Sequence, residues 1–254
     1  MVCCDENDLS GEPPLNSMPD RFAHHPELRG KIRDPQESYF RTFKPEEFDK
    51  RIRELGFQGQ WRLPDEEREA TRIKALADHR DAELWVFAYG SLMWDPGFEF
   101  IDVLKAHIDG YSRSFCLKDE LGARGTLGAP GLMAALDSGG SCTGLAFRIA
   151  REHLDAETEI LWRREMVTGV YVPLILDAQS AQGTIKCIAF IANHDASRIC
   201  PDLPRDEKIR YLATGTGVLG TSLEYLENLA EHLVALEIDD PYVFSLLKEA
   251  RAYS

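Results

Sequence analysis

The sequence lacks the features that mark membrane-spanning and nucleic-acid-binding proteins. Its 254 residues contain no apolar run near the roughly 18 that a membrane-spanning helix needs. Clusters of Lys and Arg are also missing. The chain has 29 basic residues against 43 acidic ones, and the net charge of −14 opposes binding to a phosphate backbone. We therefore expect neither a membrane nor a nucleic acid as a partner.

Paired cysteines and metal-ligand motifs are absent too. None of the six cysteines forms a C-x-x-C pair, and the seven histidines show neither H-x-x-x-H nor H-E-x-x-H. The segment from Met1 to Glu6 lacks a basic stretch followed by an apolar one, so we expect no secretory signal. These absences predict reduced thiols in the cytoplasm, no disulfide framework and no metal site.

Proline and polar residues divide the chain into two parts. Seven of the 13 prolines lie at or before Pro64, and residues 5–37 are polar without a hydrophobic period, which predicts an extended arm or linker. Two short helices are predicted after it, over 44–57 and 65–79. We interpret residues 1–81 as an N-terminal extension, whose protein partner, if it has one, is not identified, and residues 82–254 as the main domain.

The main domain has its strand patterns first and its helix patterns last. Apolar segments bounded by Gly, Pro, Asp or Asn predict strands over 84–89, 111–117, 132–136, 143–149, 169–176 and 184–192. Spacings of three and four predict helices over 151–165, 204–213, 222–236 and 241–252, with Thr221 or Ser222 as a cap for the third. This order indicates an α+β fold rather than alternating βαβ units.

The turn Tyr89-Gly90-Ser91-Leu92 is the first candidate for chemistry. It ends a nearly continuous apolar strand, and the backbone N–H groups of such a small-residue turn can bind a carboxylate or a developing oxyanion. An ordinary structural turn is the alternative. A serine nucleophile is disfavoured, because Ser91 does not stand in a G-x-S-x-G elbow.

Glu165 is the second candidate, at the point where a predicted helix gives way to a strand. Trp162 and Met166 beside it can desolvate the carboxyl group, which raises its pKa and makes it a usable general base near neutral pH. The alternative is a carboxylate paired with Arg163, Arg164 or solvent.

Residues 215–220 form the pattern G-x-G-x-x-G. A dinucleotide site needs a strand before this pattern, whereas a helix end precedes it here. We therefore predict a loop between two helices, near the active site, and disfavour a nucleotide-binding oxidoreductase.

Six segments taken in order identify a family resemblance. They are W-V-F-A-Y-G-S-L-M-W (85–94), R-S-F-C (113–116), R-G-T (124–126), T-G-L-A-F (143–147), L-W-R-R-E-M (161–166) and G-T-S-L-E-Y-L (220–226). Over about residues 83–252 the chain resembles the ChaC family of γ-glutamylcyclotransferases. The resemblance implies an α+β fold built on a small, mixed, barrel-like sheet with flanking helices. It also implies a cofactor-free cleavage of glutathione into 5-oxoproline and Cys-Gly.

The same resemblance implies roles for individual residues. Glu165 would be the catalytic acid and base, and Arg124 a contact for a substrate carboxylate. The remaining substrate-binding residues would be Tyr89, Gly90, Ser91, Leu92 and Tyr225.

One departure from the family pattern leaves alternatives open. Relatives often read P-G-R where this chain has Pro130-Gly131-Leu132. The substrate is therefore either glutathione or another γ-glutamyl amide or amino acid. A third alternative is a non-catalytic protein that senses glutathione.

Overall fold

A closed five-stranded β-barrel forms the centre of the protein, in a computed structural model that describes residues 20–79 and 82–253. Its strands are β1 (Leu84–Ala88), β2 (Asp102–Leu121), β3 (Thr126–Ile149), β4 (Tyr171–Ser180) and β5 (Gly183–Ala192). They pair in the order β1-β3-β2-β4-β5, and a parallel pairing of β1 with β5 closes the barrel. The predicted α+β class and the mixed, barrel-like sheet are confirmed.

Strands β2 and β3 form one long antiparallel hairpin. The segments predicted as strands over 132–136 and 143–149 are both extended, but they are two parts of β3 rather than separate strands. Gly139 and Gly140 adopt positive φ angles of 93° and 71°, opposite Gly110 at 83°, and the register shifts there. Glycine allows the chain to bulge at this point and continue along the same partner. The glycines that suggested strand ends therefore mark an irregularity inside one strand.

Seven α-helices occur in the described ranges. Three precede the barrel: α1 (Tyr39–Thr42), α2 (Asp49–Glu54) and α3 (Asp65–Ala75). Helix α4 (Leu154–Glu165) crosses from β3 to β4. Three follow the barrel: α5 (Arg205–Thr214), α6 (Ser222–Ala235) and α7 (Pro241–Arg251). None of the helices in these ranges has the length and apolar character needed to cross a membrane.

The G-x-G-x-x-G segment is a tight hairpin of β6 (Thr216–Gly217) and β7 (Gly220–Thr221). It connects α5 to α6, which confirms the predicted connection between two helices. Thr221 is the N-cap of α6 and forms a capping box with Glu224. The Thr221 hydroxyl accepts a hydrogen bond from the Glu224 backbone amide, and the Glu224 carboxylate accepts one from the Thr221 backbone amide. Val218 and Leu219 line the main cavity.

The described part of the extension packs on the barrel, a point that the sequence pattern of the predicted arm or linker had left open. Phe22, Leu28 and Ile32 are buried in the main hydrophobic core. They have no regular period because they lie in turns and short 3-10 segments, and each reaches the core separately. The remainder of the predicted arm, 5–19, lies outside the described residues, as do residues 80 and 81 at the predicted domain boundary.

Three glycines form a close backbone contact where the β2–β3 turn meets the start of α6. A Cβ atom on Gly125, Gly131 or Gly215 would overlap backbone atoms of the neighbouring segments. At Gly131 the overlap is with the Arg124 carbonyl, and a second conflict arises with the Ser222 hydroxyl. Side-chain rotation cannot relieve an overlap with backbone.

We expect Gly131→Ala to lower the free energy of unfolding by about 2–3 kcal/mol, as overpacking of a rigid site does. Gly128→Ala is the matched control, because Gly128 lies on the same hairpin and an added Cβ has no atom within 4 Å. Urea denaturation of both variants measures the difference. If Gly131→Ala and Gly128→Ala were equally stable, the backbone of residue 131 would lie farther from the Arg124 carbonyl than the structure places it.

Candidate active site

Two adjacent cavities lie between the barrel rim, the end of α4, the start of α6 and the extension. The outer cavity has a volume of about 550 Å³ and the inner one about 20 Å³. Four residues line both: Ser91, Glu165, Tyr171 and Tyr225. The inner cavity brings together almost all the predicted site residues, namely Tyr89, Gly90, Ser91, Leu92, Glu165 and Tyr225. Arg124 lies apart from them, on the wall of the outer cavity.

The turn after β1 forms one side of the inner cavity. A short 3-10 segment, Ser91–Met93, begins directly after Gly90, and the Met93 amide donates to the Gly90 carbonyl at 2.8 Å. A Cβ atom on Gly90 would lie 2.6 Å from the Tyr225 hydroxyl oxygen. Glycine is therefore required here for close approach to Tyr225 rather than for an unusual φ angle.

Glu165 is the last residue of α4, and its side chain is only 12% exposed. Burial raises the pKa of its carboxyl group, while the neighbouring Arg164 guanidinium opposes part of that rise. The Arg164 Nε atom lies 3.0 Å from the Glu165 Oε1 atom. The sequence posed desolvation and pairing with an arginine as alternatives, and the structure contains both.

Three tyrosines, Tyr89, Tyr171 and Tyr225, line the inner cavity together with this carboxyl group. Tyr89 donates to the Phe190 carbonyl at 2.8 Å, and Tyr171 lines the same inner cavity. Burial raises the pKa of Tyr89 and Tyr171 well above the usual value and that of Tyr225 to about 12. All three hydroxyls therefore remain protonated at neutral pH. Because the Tyr89 hydroxyl donates its hydrogen to the Phe190 carbonyl, Tyr171 and Tyr225 are the two that can donate to a bound molecule.

Sequence reasoning missed Tyr171 and treated Arg164 only as a partner that would make Glu165 ordinary. Tyr171 is the first residue of β4, which returns along the cavity directly after α4. The exposed residues Val172 and Leu174 of β4 are apolar like their partly buried neighbours, so no hydrophobic alternation in the sequence distinguishes this tyrosine. Arg164 is adjacent to Glu165 in the motif, and that adjacency was the available signal.

Arg164 joins the two predicted halves of the site. Its Nη2 atom donates to the Ser91 hydroxyl at 2.8 Å, and its Nη1 atom donates to the Asp95 carbonyl. With Nε beside Glu165, one guanidinium thus connects the turn after β1 to the end of α4. The carboxyl group and the turn are held in a fixed relation.

Arg124 occupies the approach to this centre. Its guanidinium lies 5.8 Å from the centroid of the Tyr225 ring, and Nη1 donates to the Thr221 carbonyl at 3.2 Å. This position on the outer cavity wall suits a carboxylate on the distal part of a ligand. In the part of the chain described, no three His, Cys, Asp or Glu side chains are grouped as a metal site would require.

Comparison with known proteins identifies relatives that are named as γ-glutamylcyclotransferases. The glutathione-specific γ-glutamylcyclotransferase of Escherichia coli (strain K12) is 37% identical over 184 residues, which are 72% of this chain and 79% of that protein. The glutathione-specific γ-glutamylcyclotransferase 1 of Danio rerio is 30% identical over 172 residues, or 65% of this chain and 87% of that protein.

A crystal structure of a glutathione-specific γ-glutamyl cyclotransferase from yeast shares the fold. Its TM-score is 0.62 at 20% identity, with 67% of this chain and 96% of that chain covered. The sequence profile of the family described as ChaC-like protein matches residues 84–253, well over half of the chain. This chain therefore belongs to the ChaC-like family of γ-glutamylcyclotransferases, as its ordered motifs predicted.

Proposed function

We propose that this protein is an enzyme that cleaves glutathione into 5-oxoproline and Cys-Gly. The observation that carries the proposal is a buried carboxyl group, Glu165, placed among tyrosine hydroxyls at the bottom of a cavity large enough for a tripeptide. Named relatives that act on glutathione support the same substrate.

The reaction needs little beyond orientation and proton transfer. The substrate's α-amine attacks its own γ-carbonyl carbon, a C–N bond closes the five-membered lactam, and the amide bond to cysteine breaks. Because the attack is intramolecular, correct positioning supplies much of the acceleration and no enzyme nucleophile is needed. One proton must leave the α-ammonium group, and one must reach the departing nitrogen.

Glu165 is suited to move that proton. A carboxyl group whose pKa is raised by burial can accept a proton from the ammonium group and release it to the leaving amine. We assign the turn of Gly90, Ser91 and Leu92 to the substrate's α-carboxylate or to the developing oxyanion. Tyr225 then donates a hydrogen bond within the inner cavity, and Tyr89, whose hydroxyl donates to the Phe190 carbonyl, can accept one there.

The outer cavity is assigned to the leaving amine. Arg124 on its wall offers a cation to the terminal carboxylate of Cys-Gly. Leu132 stands where relatives often have arginine, and its side chain is fully buried in the core. It therefore offers no contact to a ligand, and the Cys-Gly carboxylate depends on other cations.

Product analysis tests the proposal. Purified protein incubated with glutathione is expected to yield 5-oxoproline and Cys-Gly in equal amounts by mass spectrometry. γ-Glutamyl-alanine serves as the comparison substrate. A large preference for it would assign the enzyme to other γ-glutamyl compounds, and no 5-oxoproline from either substrate would refute cyclotransferase activity.

The cytoplasmic location and the domain division belong to the same proposal. Four cysteines of the described part, Cys116, Cys142, Cys187 and Cys200, carry free thiols, as is usual in a reducing compartment. The family match begins at residue 84, which supports a catalytic domain over 82–254 and an extension over 1–81.

A further inference from the structure

Hydrogen bonds and ion pairs join the extension to α4, the helix that carries Glu165. Arg41 forms a two-point ion pair with Glu157 of α4, with N–O distances of 2.9 and 3.0 Å. Arg72 reaches the Asp155 carboxylate and the Thr158 hydroxyl on the same helix, each at 2.9 Å. The Leu63 amide donates to the Val167 carbonyl just beyond the end of α4. These contacts therefore extend along the whole length of α4.

Phe40, next to Arg41 in α1, lies directly over Arg164. The centre of the guanidinium is 3.8 Å from the centroid of the Phe40 ring. Phe40 also lines the outer cavity, and it lies outside the residues matched by the family profile. An aromatic side chain of the extension thus contacts the arginine that holds Glu165.

The arrangement around Arg164 explains what this contact does. The in-plane N–H groups of the guanidinium are directed to Glu165, Ser91 and the carbonyls of Asp95 and Pro96. Hydrogen-bond partners in the plane of the Arg164 guanidinium define its position, but they only weakly oppose tilting of the guanidinium out of that plane. A ring stacked on one face blocks tilting out of the plane and excludes water from that face.

We infer that Phe40 is a positioning residue of the active site: its ring holds the Arg164 guanidinium, which in turn holds the Glu165 carboxylate against the Ser91 turn. The inference rests on the proposed cyclotransferase function. It gives the extension a defined part in catalysis, since a carboxylate displaced by about 1 Å can lose roughly 100-fold in rate.

The test compares three variants of the full chain with the wild type. Phe40→Leu keeps an apolar side chain of similar bulk and removes the aromatic face, whereas Phe40→Tyr keeps that face. Phe57→Leu is the matched control: Phe57 belongs to the same extension, is half-buried, and does not line the cavity. Steady-state kinetics with glutathione are measured across pH.

Phe40→Leu is expected to lower kcat by about 10- to 100-fold with KM changed less than about threefold. Phe40→Tyr should stay within about threefold of the wild type, and Phe57→Leu within about twofold. The acidic limb of the kcat profile should move to higher pH in Phe40→Leu. Glu165 would then lose the opposing effect of Arg164, while Tyr89, Tyr171 and Tyr225, which also face it, remain uncharged there.

A second readout does not depend on turnover. The Arg164 Nε–H signal in a nitrogen-15 NMR spectrum, assigned with Arg164→Lys, should be protected from solvent exchange in the wild type and lose protection in Phe40→Leu. Unchanged protection would overturn the inference even if wild-type protein failed to form 5-oxoproline. A loss confined to KM, an unmoved acidic limb, or an equal loss in Phe57→Leu would overturn it in an active enzyme.

Discussion

Glu165→Gln is expected to lower kcat/KM for the cyclisation of glutathione by roughly 10²–10⁴-fold while leaving the protein folded. The amide has the shape of the carboxyl group but cannot accept the proton of the α-ammonium group. Because burial raises the pKa of Glu165, the charged carboxylate is less favourable in the folded state than in the unfolded state. Removing the charge should therefore not reduce stability at neutral pH.

The matched control is Glu159→Gln on the same helix. Glu159 is 63% exposed and pairs with Arg163 at 3.2 Å, so its replacement should leave turnover unchanged. 5-Oxoproline formation and thermal unfolding are measured for both variants. Substantial turnover by folded Glu165→Gln would remove Glu165 from the reaction.

The pH dependence of the wild-type enzyme follows from the same burial. The raised pKa of Glu165 means that its carboxylate is lost at a higher pH than an exposed glutamate would be. kcat should therefore fall on the acidic side at a pH above the usual glutamate range. The same linkage makes the contribution of Glu165 to stability less favourable as the pH rises above the unfolded-state value.

Gly90→Ala is expected to lower kcat/KM by more than about 100-fold and the free energy of unfolding by about 1–3 kcal/mol. The added methyl group would lie 2.6 Å from the Tyr225 hydroxyl oxygen, yet 3.8 Å from the Cζ atom of that ring. The Tyr225 ring is buried and has edge contacts with Trp94 and Phe115, so it cannot withdraw freely. The conflict is therefore confined to one oxygen atom.

A double-mutant cycle isolates that oxygen. In a Tyr225→Phe background, Gly90→Ala should cost less than about 0.5 kcal/mol, because the remaining Cζ atom is at an ordinary contact distance. Turnover should stay low in the double variant, since the hydroxyl that donates to the substrate is missing. Additive stability losses would show that the Gly90 requirement arises elsewhere, and restored turnover would show that the Tyr225 hydroxyl is not needed.

Local patterns predicted most of the elements that carry the site. The apolar run before Gly90 predicted a buried strand over 84–89, and β1 ends at Ala88 with its last three residues fully buried. The spacing before Glu165 predicted a helix that ends there, as α4 does. In both cases one segment buries a continuous face, so its periodicity records its structure.

Local patterns failed where a residue's partner lies far along the chain. Phe22 and Leu28 occur in a polar, proline-rich stretch, and their burial depends on the barrel surface beneath them. The glycines at 139 and 140 have the composition of a turn, but pairing with β2 continues beyond them. The sequence indicated only that Arg164 is a charged residue at the end of a helix. Its contacts with Ser91 and Phe40 form only when the chain folds.

The sequence by itself determined the class of fold, the family, and the two segments that hold the proposed catalytic groups. Each of these depends on short-range spacing or on an ordered set of motifs. Only the tertiary structure decided that Tyr171 joins the inner cavity, that Arg124 lies outside it, and that Arg164 links Glu165 to the turn. Closing the barrel brings together residues separated by tens of positions, and no local period encodes which of them meet.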